Sequence, residues 1–150
     1  MTPTRSGNVS EPAVIRRALT TPATWAVVGL STDATRTAYG VARWMRDALG
    51  HRIIPVHPRA EEVWGEPGYP TLTQIPDGTV VAVVDCFVNS QRVGEVVDEA
   101  IANIDRLSIE TIWLQLGVID QDAAQRAISA GLDVVMDTCP MIQFDVLGLH

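Results

Sequence analysis

The sequence predicts a doubly wound α/β fold: a mostly parallel sheet of about five to six strands with helices on both faces. Three observations predict it. Short, continuous apolar runs recur at residues 25–30, 52–56, 80–85, 111–115 and 132–136, as expected of strands buried on both faces. Between them lie segments with apolar residues at helical spacing. Glycine or proline punctuates most of the junctions, so strand and helix alternate, which implies right-handed βαβ crossovers.

Taken in order, residues 1–9 read as a flexible tail and 10–150 as a single domain. Ser10-Glu11-Pro12 resembles a helix start, with Ser10 as cap and Pro12 in the first turn; Val14, Ile15, Ala18 and Leu19 form its apolar stripe, and Thr20-Thr21-Pro22 ends it. The first strand covers 25–30. A helix beginning near Ala38 carries Val41, Trp44, Met45, Ala48 and Leu49 on one face, and Gly50 closes it. The second strand is 52–56, an assignment that Pro55 strains mildly.

Residues 57–79 are rich in proline and glycine and read as loops, with a short strand at 62–64. A β-branched strand follows at 80–85. Val93, Val96, Val97, Ala100, Ile101 and Ile104 trace a helix face. The strand at 111–115 comes next, then a helix through Ala123, Ala124, Ala127 and Ile128 that ends at Gly131, and the last strand at 132–136.

Composition narrows the function. Hydrophobic residues make up 47% of 150 residues and charged residues 19%, which is too apolar for disorder. No run approaches the roughly 20 apolar residues of a membrane helix, and the first residues lack a signal peptide's apolar stretch, so a cytoplasmic protein with no membrane partner is expected. Two cysteines and three scattered histidines show no zinc-ligand spacing, so no metal is expected. All 11 basic residues are arginines, against 18 acidic ones. A net charge of −7 argues against nucleic acid as a partner, because nonspecific binding there needs a positive stripe. Any anionic ligand must be held by local groups.

Ligands of such sheets bind at the carboxyl ends of the strands, near the point where strand order reverses. The loop after the first strand, Gly29 to Thr37, brings Ser31, Thr32, Thr35, Arg36 and Thr37 to a helix N-terminus, where hydroxyls, a guanidinium and unpaired backbone N–H groups make an anion cradle. A plainer reading has Thr37 cap the helix and the rest form a surface loop. A dinucleotide fingerprint, G-x-G-x-x-G, is not present: the chain has Gly29-Leu30-Ser31-Thr32-Asp33-Ala34. After the second strand stand His57, Pro58 and Arg59, a set better suited to phosphate than to a ribose diol. Further strand ends offer Phe87 and Val88 as a wall, Asn89 and Gln115 as amides, and Leu116-Gly117 as bare backbone. Cys139-Pro140 suggests a nucleophile, but with no histidine near it in sequence it reads as an inert buried thiol. His51 reads as a surface or helix-capping group, and no catalytic residue is assigned.

The strings Trp25-Ala26-Val27-Val28-Gly29-Leu30-Ser31 and Arg36-Thr37-Ala38-Tyr39-Gly40-Val41-Ala42-Arg43 resemble those of the small stand-alone CoA-binding proteins, whose domain is similar to the N-terminal CoA-binding domain of the succinyl-CoA synthetase alpha subunit. Ile53 to Pro58, Gly65-Glu66, Tyr69 to Leu72, Val96 to Ile101, Trp113 to Gly117 and Val135 to Pro140 extend the likeness over roughly residues 12–147. The resemblance implies a Rossmann-like fold that binds CoA or acyl-CoA. It implies that Gly29, Ser31, Arg36, Tyr39 and Gly40 belong to the phosphate-binding loop, with Thr35 and Thr37 beside them. His57 and Pro58 would serve the nucleotide side, Phe87 and Val88 the adenine or pantetheine wall, and Gln115, Leu116 and Gly117 the pantetheine channel; Arg59 and Cys139, at the ends of the second and last strands, are counted with them as candidate cofactor-binding residues.

The chain departs from the family's usual pattern in three places. Thr37-Ala38 replaces Pro-Ser, His57 stands in the middle of the usual Val-Asn-Pro, and the arginines that usually follow the 80–85 strand give way to Val88-Asn89-Ser90. The expected role is a CoA or acyl-CoA binding protein without catalysis, acting as carrier, sensor or partner module, with a homodimer or an acyl-CoA enzyme as candidate protein partners. The alternatives are an atypical NAD(P)-dependent oxidoreductase and a thiol switch in which Cys139 forms a mixed disulfide with CoA.

Overall fold

The computed structural model describes residues 7–149; part of the expected tail (residues 1–6) and His150 lie outside them. In chain order the elements are α1 (Pro12–Thr20), β1 (Thr24–Val28), α2 (Thr37–Leu49), β2 (Arg52–Val56), a short 3-10 turn (Leu72–Gln74), β3 (Val83–Cys86), α3 (Val93–Ala102), α4 (Ile104–Leu107), β4 (Thr111–Leu114), α5 (Gln121–Ser129), β5 (Asp133–Val135) and α6 (Pro140–Val146). The five strands form one parallel sheet in the order β2-β1-β3-β4-β5. Strand order therefore reverses between β1 and β3, and a crevice opens there beyond the carboxyl ends.

Alternation along each strand divides the core in two. Trp25, Val27, Ile53, Val83, Trp113 and Val135 face α1, α2 and α6. Ala26, Val28, Ile54, Val84, Ile112 and Leu114 face α3, α5 and the 3-10 turn. Apart from the buried Asp85, Thr111 and Asp133, the buried strand residues are apolar on both sides because both sides are covered, which is why the sequence shows runs rather than alternation. Truncating a fully buried residue such as Leu114 to alanine is expected to cost about 2–5 kcal/mol.

Several boundaries differ from expectation for identifiable reasons. Ser10 does not cap α1. Its N–H donates to the Val134 carbonyl and its Oγ accepts from the Met136 N–H, so it ties the entry segment to β5 while Glu11 takes the cap position. Val9 packs on the core beside it. β1 stops at Val28 because Gly29 turns the backbone to a φ of +104°. The strand expected at 62–64 is reduced to one bridge between Val63 and Glu66, and the helix of 93–104 breaks at Asn103 into α3 and α4. α6 was not anticipated; Cys139 precedes it and Pro140 occupies its first turn.

His51 is 2% exposed, not a surface group. Its Nδ1 accepts from the Ala23 N–H at 3.1 Å, and its ring lies 5.1 Å from that of Trp25. Burial lowers its pKa. Among the described residues, no helix is long and apolar enough to cross a membrane, and no group of three or more His, Cys, Asp or Glu could hold a metal ion.

Candidate functional site

At the β1/β3 switch point the sheet's carboxyl edge opens into a groove with two lobes. The first, about 670 Å³, is lined by Gly29, Ser31, Asp33 and Arg36 from the β1–α2 loop, His57, Pro58 and Arg59 from the end of β2, Pro70 and Thr71, and Phe87, Val88, Asn89 and Arg92 from the β3–α3 loop; Glu95 and Glu99 of α3 complete it. The second, about 540 Å³, is lined by Thr35, Thr37, Ala38, Gln115, Leu116, Val118, Cys139 and Ile142. Gly29, Arg36, Phe87, Val88 and Asn89 line both, so the lobes adjoin across the end of β1.

Gly29 makes this junction possible. A Cβ there would lie 2.6 Å from the Phe87 carbonyl oxygen and 3.1 Å from the Phe87 Cβ. The two loops can approach this closely only over a residue without a side chain, and the positive φ excludes most others. The Gly29 N–H donates to the Val56 carbonyl at 2.7 Å and the Phe87 N–H to the Val28 carbonyl at 2.8 Å, which extends the ladder to the groove's rim.

The β1–α2 loop is held by its own side chains. Ser31, 4% exposed, accepts from the Asp33 N–H. Asp33 accepts from both the N–H and the hydroxyl of Thr35, and these two bonds hold its carboxyl below the usual range. Arg36 occupies the cap position of α2, and Thr37 is the first helical residue with no capping bond from either side chain, contrary to the plainer reading of Thr37. Neither the Thr37 nor the Ala38 N–H finds a partner among the described residues. They remain available at the positive end of the helix.

Across the groove, His57 Nδ1 accepts from the Arg59 N–H at 3.1 Å, leaving Nε2 as the ring's other polar atom. Partial desolvation first, and then the nearby Arg59 and Arg36, lower its pKa, so the ring is neutral at neutral pH. Glu61 accepts from the Thr32 N–H and from Arg59 Nε, both at 3.3 Å, and the Thr32 bond is the main reason its carboxyl sits below its ordinary value. Asn89 Oδ1 accepts from the N–H groups of Gln91 and Arg92, which fixes the turn that delivers Arg92 to the first lobe.

The structure thus brings Gly29, Ser31, Arg36, His57, Pro58, Arg59, Phe87 and Val88 to the first lobe, and Thr35, Thr37, Gln115, Leu116 and Cys139 to the second. It does not bring three expected residues there. Tyr39 turns onto Trp64, whose Nε1 donates to its hydroxyl at 3.2 Å with the rings 5.0 Å apart. Gly40 lies on an exposed turn of α2. Gly117, at a φ of +84°, donates its N–H to Asp137 Oδ1 at 2.8 Å.

Sequence reasoning missed Arg92, which stands three residues beyond Asn89, at the cap position of α3. The position just past a strand's carboxyl end and before a helix was its available signal. It also missed Asp33 and the α3 carboxylates. Glu99 is committed to the Leu72 N–H and the Thr73 hydroxyl, closing the far wall.

The sequence from residue 23 to residue 145 matches the model of a family described as "CoA binding domain". An uncharacterized Bacillus subtilis (strain 168) protein, YneT, is 34% identical over 114 residues, covering 76% of this chain and 79% of that one. A hypothetical protein from Pyrococcus horikoshii OT3 has a solved structure similar over 98% of each chain, at 30% identity and a TM-score of 0.80. The dinucleotide-forming acetyl-coenzyme A synthetase 1 of Ca. Korarchaeum cryptofilum, solved with phosphate and ADP, shares the fold over 80% of this chain and 26% of its own, at 23% identity and a TM-score of 0.65.

Proposed function

The chain belongs to the CoA binding domain family, and from that premise we propose that it binds CoA or an acyl-CoA along the two-lobed groove, with no chemical step of its own. The observation that carries this reading is the division of the groove. Arg59, Arg92 and His57 line the first lobe, where phosphates would be received, and Leu116, Val118 and Ile142 line the second, where an apolar arm would lie, with Arg36, Phe87 and Val88 shared at the junction. A diphosphate passing over Gly29 would meet bare backbone and the unpaired N–H groups of α2.

The fit is electrostatic as well as steric. CoA carries about four negative charges and the chain has a net charge of −7, so attraction must be local; with a Debye length of ~8 Å, short-range contacts outweigh the distant repulsion. For a reading without catalysis, the support is that the groove's imidazole and thiol are in different lobes: His57 lines the first and Cys139 the second. Such a protein would serve as a carrier, a sensor or a partner module for an acyl-CoA enzyme.

Calorimetry with CoA, dephospho-CoA and NAD tests the proposal. CoA should bind more tightly than dephospho-CoA, and NAD most weakly. A folded protein that gives no heat with CoA at about millimolar concentration, or that prefers NAD, overturns the binding reading. An acyl-CoA should be recovered unchanged after incubation; its hydrolysis or transfer would overturn the absence of catalysis.

A further inference from the structure

β3 is the central strand of the sheet and carries one polar side chain among Val83, Val84 and Cys86: Asp85, which is 0% exposed. In register it lies between Val27 of β1 and Trp113 of β4. Its Oδ1 accepts a 2.6 Å hydrogen bond from Gln115 Nε2, and its Oδ2 has no partner. A carboxyl in such surroundings is costly wherever an aliphatic residue would pack, so its one bond is the place to look for a role.

That bond ends on a residue of the groove. Gln115 follows β4, is 4% exposed and lines the second lobe. Its backbone is fixed: the N–H donates to the Cys86 carbonyl and the carbonyl accepts from the Val118 N–H. Only the terminal amide could still choose an orientation. A glutamine amide can present either its oxygen or its NH₂ to a ligand, and rotation by half a turn exchanges them. With Nε2 drawn inward to Asp85, the Oε1 is left accepting no hydrogen bond from the described residues.

We propose that Asp85 is a positioning residue for ligand binding: its carboxyl holds the Gln115 amide so that Oε1 is presented to the second lobe as an acceptor for an amide N–H of the bound ligand. The inference rests on the preceding reading, in which the pantetheine arm, a chain with secondary amides, occupies that lobe. Asp85 itself touches no ligand. Burial keeps its carboxyl protonated at neutral pH, with a pKa pushed up to about 8, so the fixing contact introduces no buried charge.

The test compares the wild type, Asp85→Asn, Asp85→Leu, Gln115→Met and the double variant Asp85→Leu with Gln115→Met for binding of CoA and of adenosine 3′,5′-bisphosphate, the nucleotide part without the arm. Asp85→Asn keeps an oxygen that accepts from Gln115 and should bind CoA as the wild type does. Asp85→Leu and Gln115→Met should each weaken CoA about tenfold and leave the bisphosphate unchanged, and the double variant should lose no more than either alone. Equal losses for both ligands, or undiminished CoA binding by a folded Asp85→Leu protein, overturn the role of Asp85. If the leucine variant does not fold, the pair Asp85→Asn and Gln115→Met decides: a tenfold loss in the asparagine variant, or none in the methionine variant, overturns it. A wild type that binds no CoA refutes the function, whereas a wild type that binds beside indifferent variants refutes only the positioning.

Discussion

Replacing Gly29 with alanine tests the junction of the two lobes most directly. The new Cβ would lie 2.6 Å from the Phe87 carbonyl oxygen, 3.1 Å from its Cβ and 3.3 Å from its carbonyl carbon. These are main-chain or stem atoms that no rotamer change can move. Relief must come from separating the ends of β1 and β3, which threatens the Gly29 N–H bond to Val56 and the Phe87 N–H bond to Val28. Each such bond contributes about 1 kcal/mol, and holding a residue with a side chain at positive φ adds roughly 1–2 kcal/mol. The expected loss is therefore about 3 kcal/mol, a fall in Tm of roughly 6–12 °C for a domain of this size. Thermal unfolding by circular dichroism measures it, and calorimetry should show CoA binding lost, because Phe87 lines both lobes. An alanine variant that melts within about 2 °C of the wild type and binds CoA unchanged would refute the close-approach argument.

Arg36→Ala and Arg92→Ala should each weaken CoA about tenfold, since a charge-assisted contact to phosphate is worth about 1.5 kcal/mol or more, and should also flatten the dependence of affinity on salt. Equal affinity in either variant would remove that residue from the site. Glu61→Ala should tighten CoA binding, because it releases the Thr32 N–H and Arg59 to an incoming phosphate; weaker binding would show that Glu61 organises the site instead of competing for it. Two buried groups should shape the pH dependence of stability in opposite senses. Native Asp85 keeps its proton up to about 8 while the unfolded chain loses it near 3.8, so stability declines as pH rises through that window, by on the order of 5 kcal/mol, and Asp85→Asn should abolish this limb. Native His51 resists protonation, so its contribution falls as pH drops below about 6.5 and there offsets the gain from Asp85. Denaturant titrations over roughly pH 5 to 9 should show the wild type losing stability between about 6.5 and 8, and Asp85→Asn instead losing stability on acidification below about 6.5; an alkaline limb unchanged in Asp85→Asn would contradict the first assignment.

Much of the fold was legible because a parallel sheet covered on both faces writes itself as apolar runs, and Trp25 to Val28 or Thr111 to Leu114 can hardly be anything else in a chain of this length. The β1–α2 cradle was legible for a related reason: a glycine at a strand's end followed by hydroxyl residues and a helix has few other uses. What stayed hidden depends on contacts distant in sequence. Ser10 has the residue type of a cap, yet the Met136 N–H, 126 residues away, takes its hydroxyl. Tyr39 looks like a loop residue of the site until Trp64, brought beside α2 by a proline-rich segment, takes its ring. Asp85 closes the expected strand at 80–85, and nothing local tells that Gln115, on the neighbouring strand's end, will meet it at 2.6 Å.

The charge pattern carries the same lesson into function. Arg17, Arg52, Arg106 and Arg126 are each spent on a carboxylate (Asp133, Glu66, Asp77 and Asp98), and Arg43 and Arg46 both face Asp47. Among the described arginines, only Arg16, Arg36 and Arg92 have no carboxylate in ion-pair contact, and two of these three line the first lobe. Arg59, the third guanidinium there, is paired through a partly exposed contact to Glu61 at 3.3 Å, the kind of bond that contributes little and is easily exchanged. The first lobe also holds Asp33, Glu95 and Glu99, so its three arginines give it no net positive charge; an anion would be received there by directed guanidinium and N–H contacts at the sheet's carboxyl edge and the α2 N-terminus, with Glu99 already committed to the Leu72 N–H and the Thr73 hydroxyl.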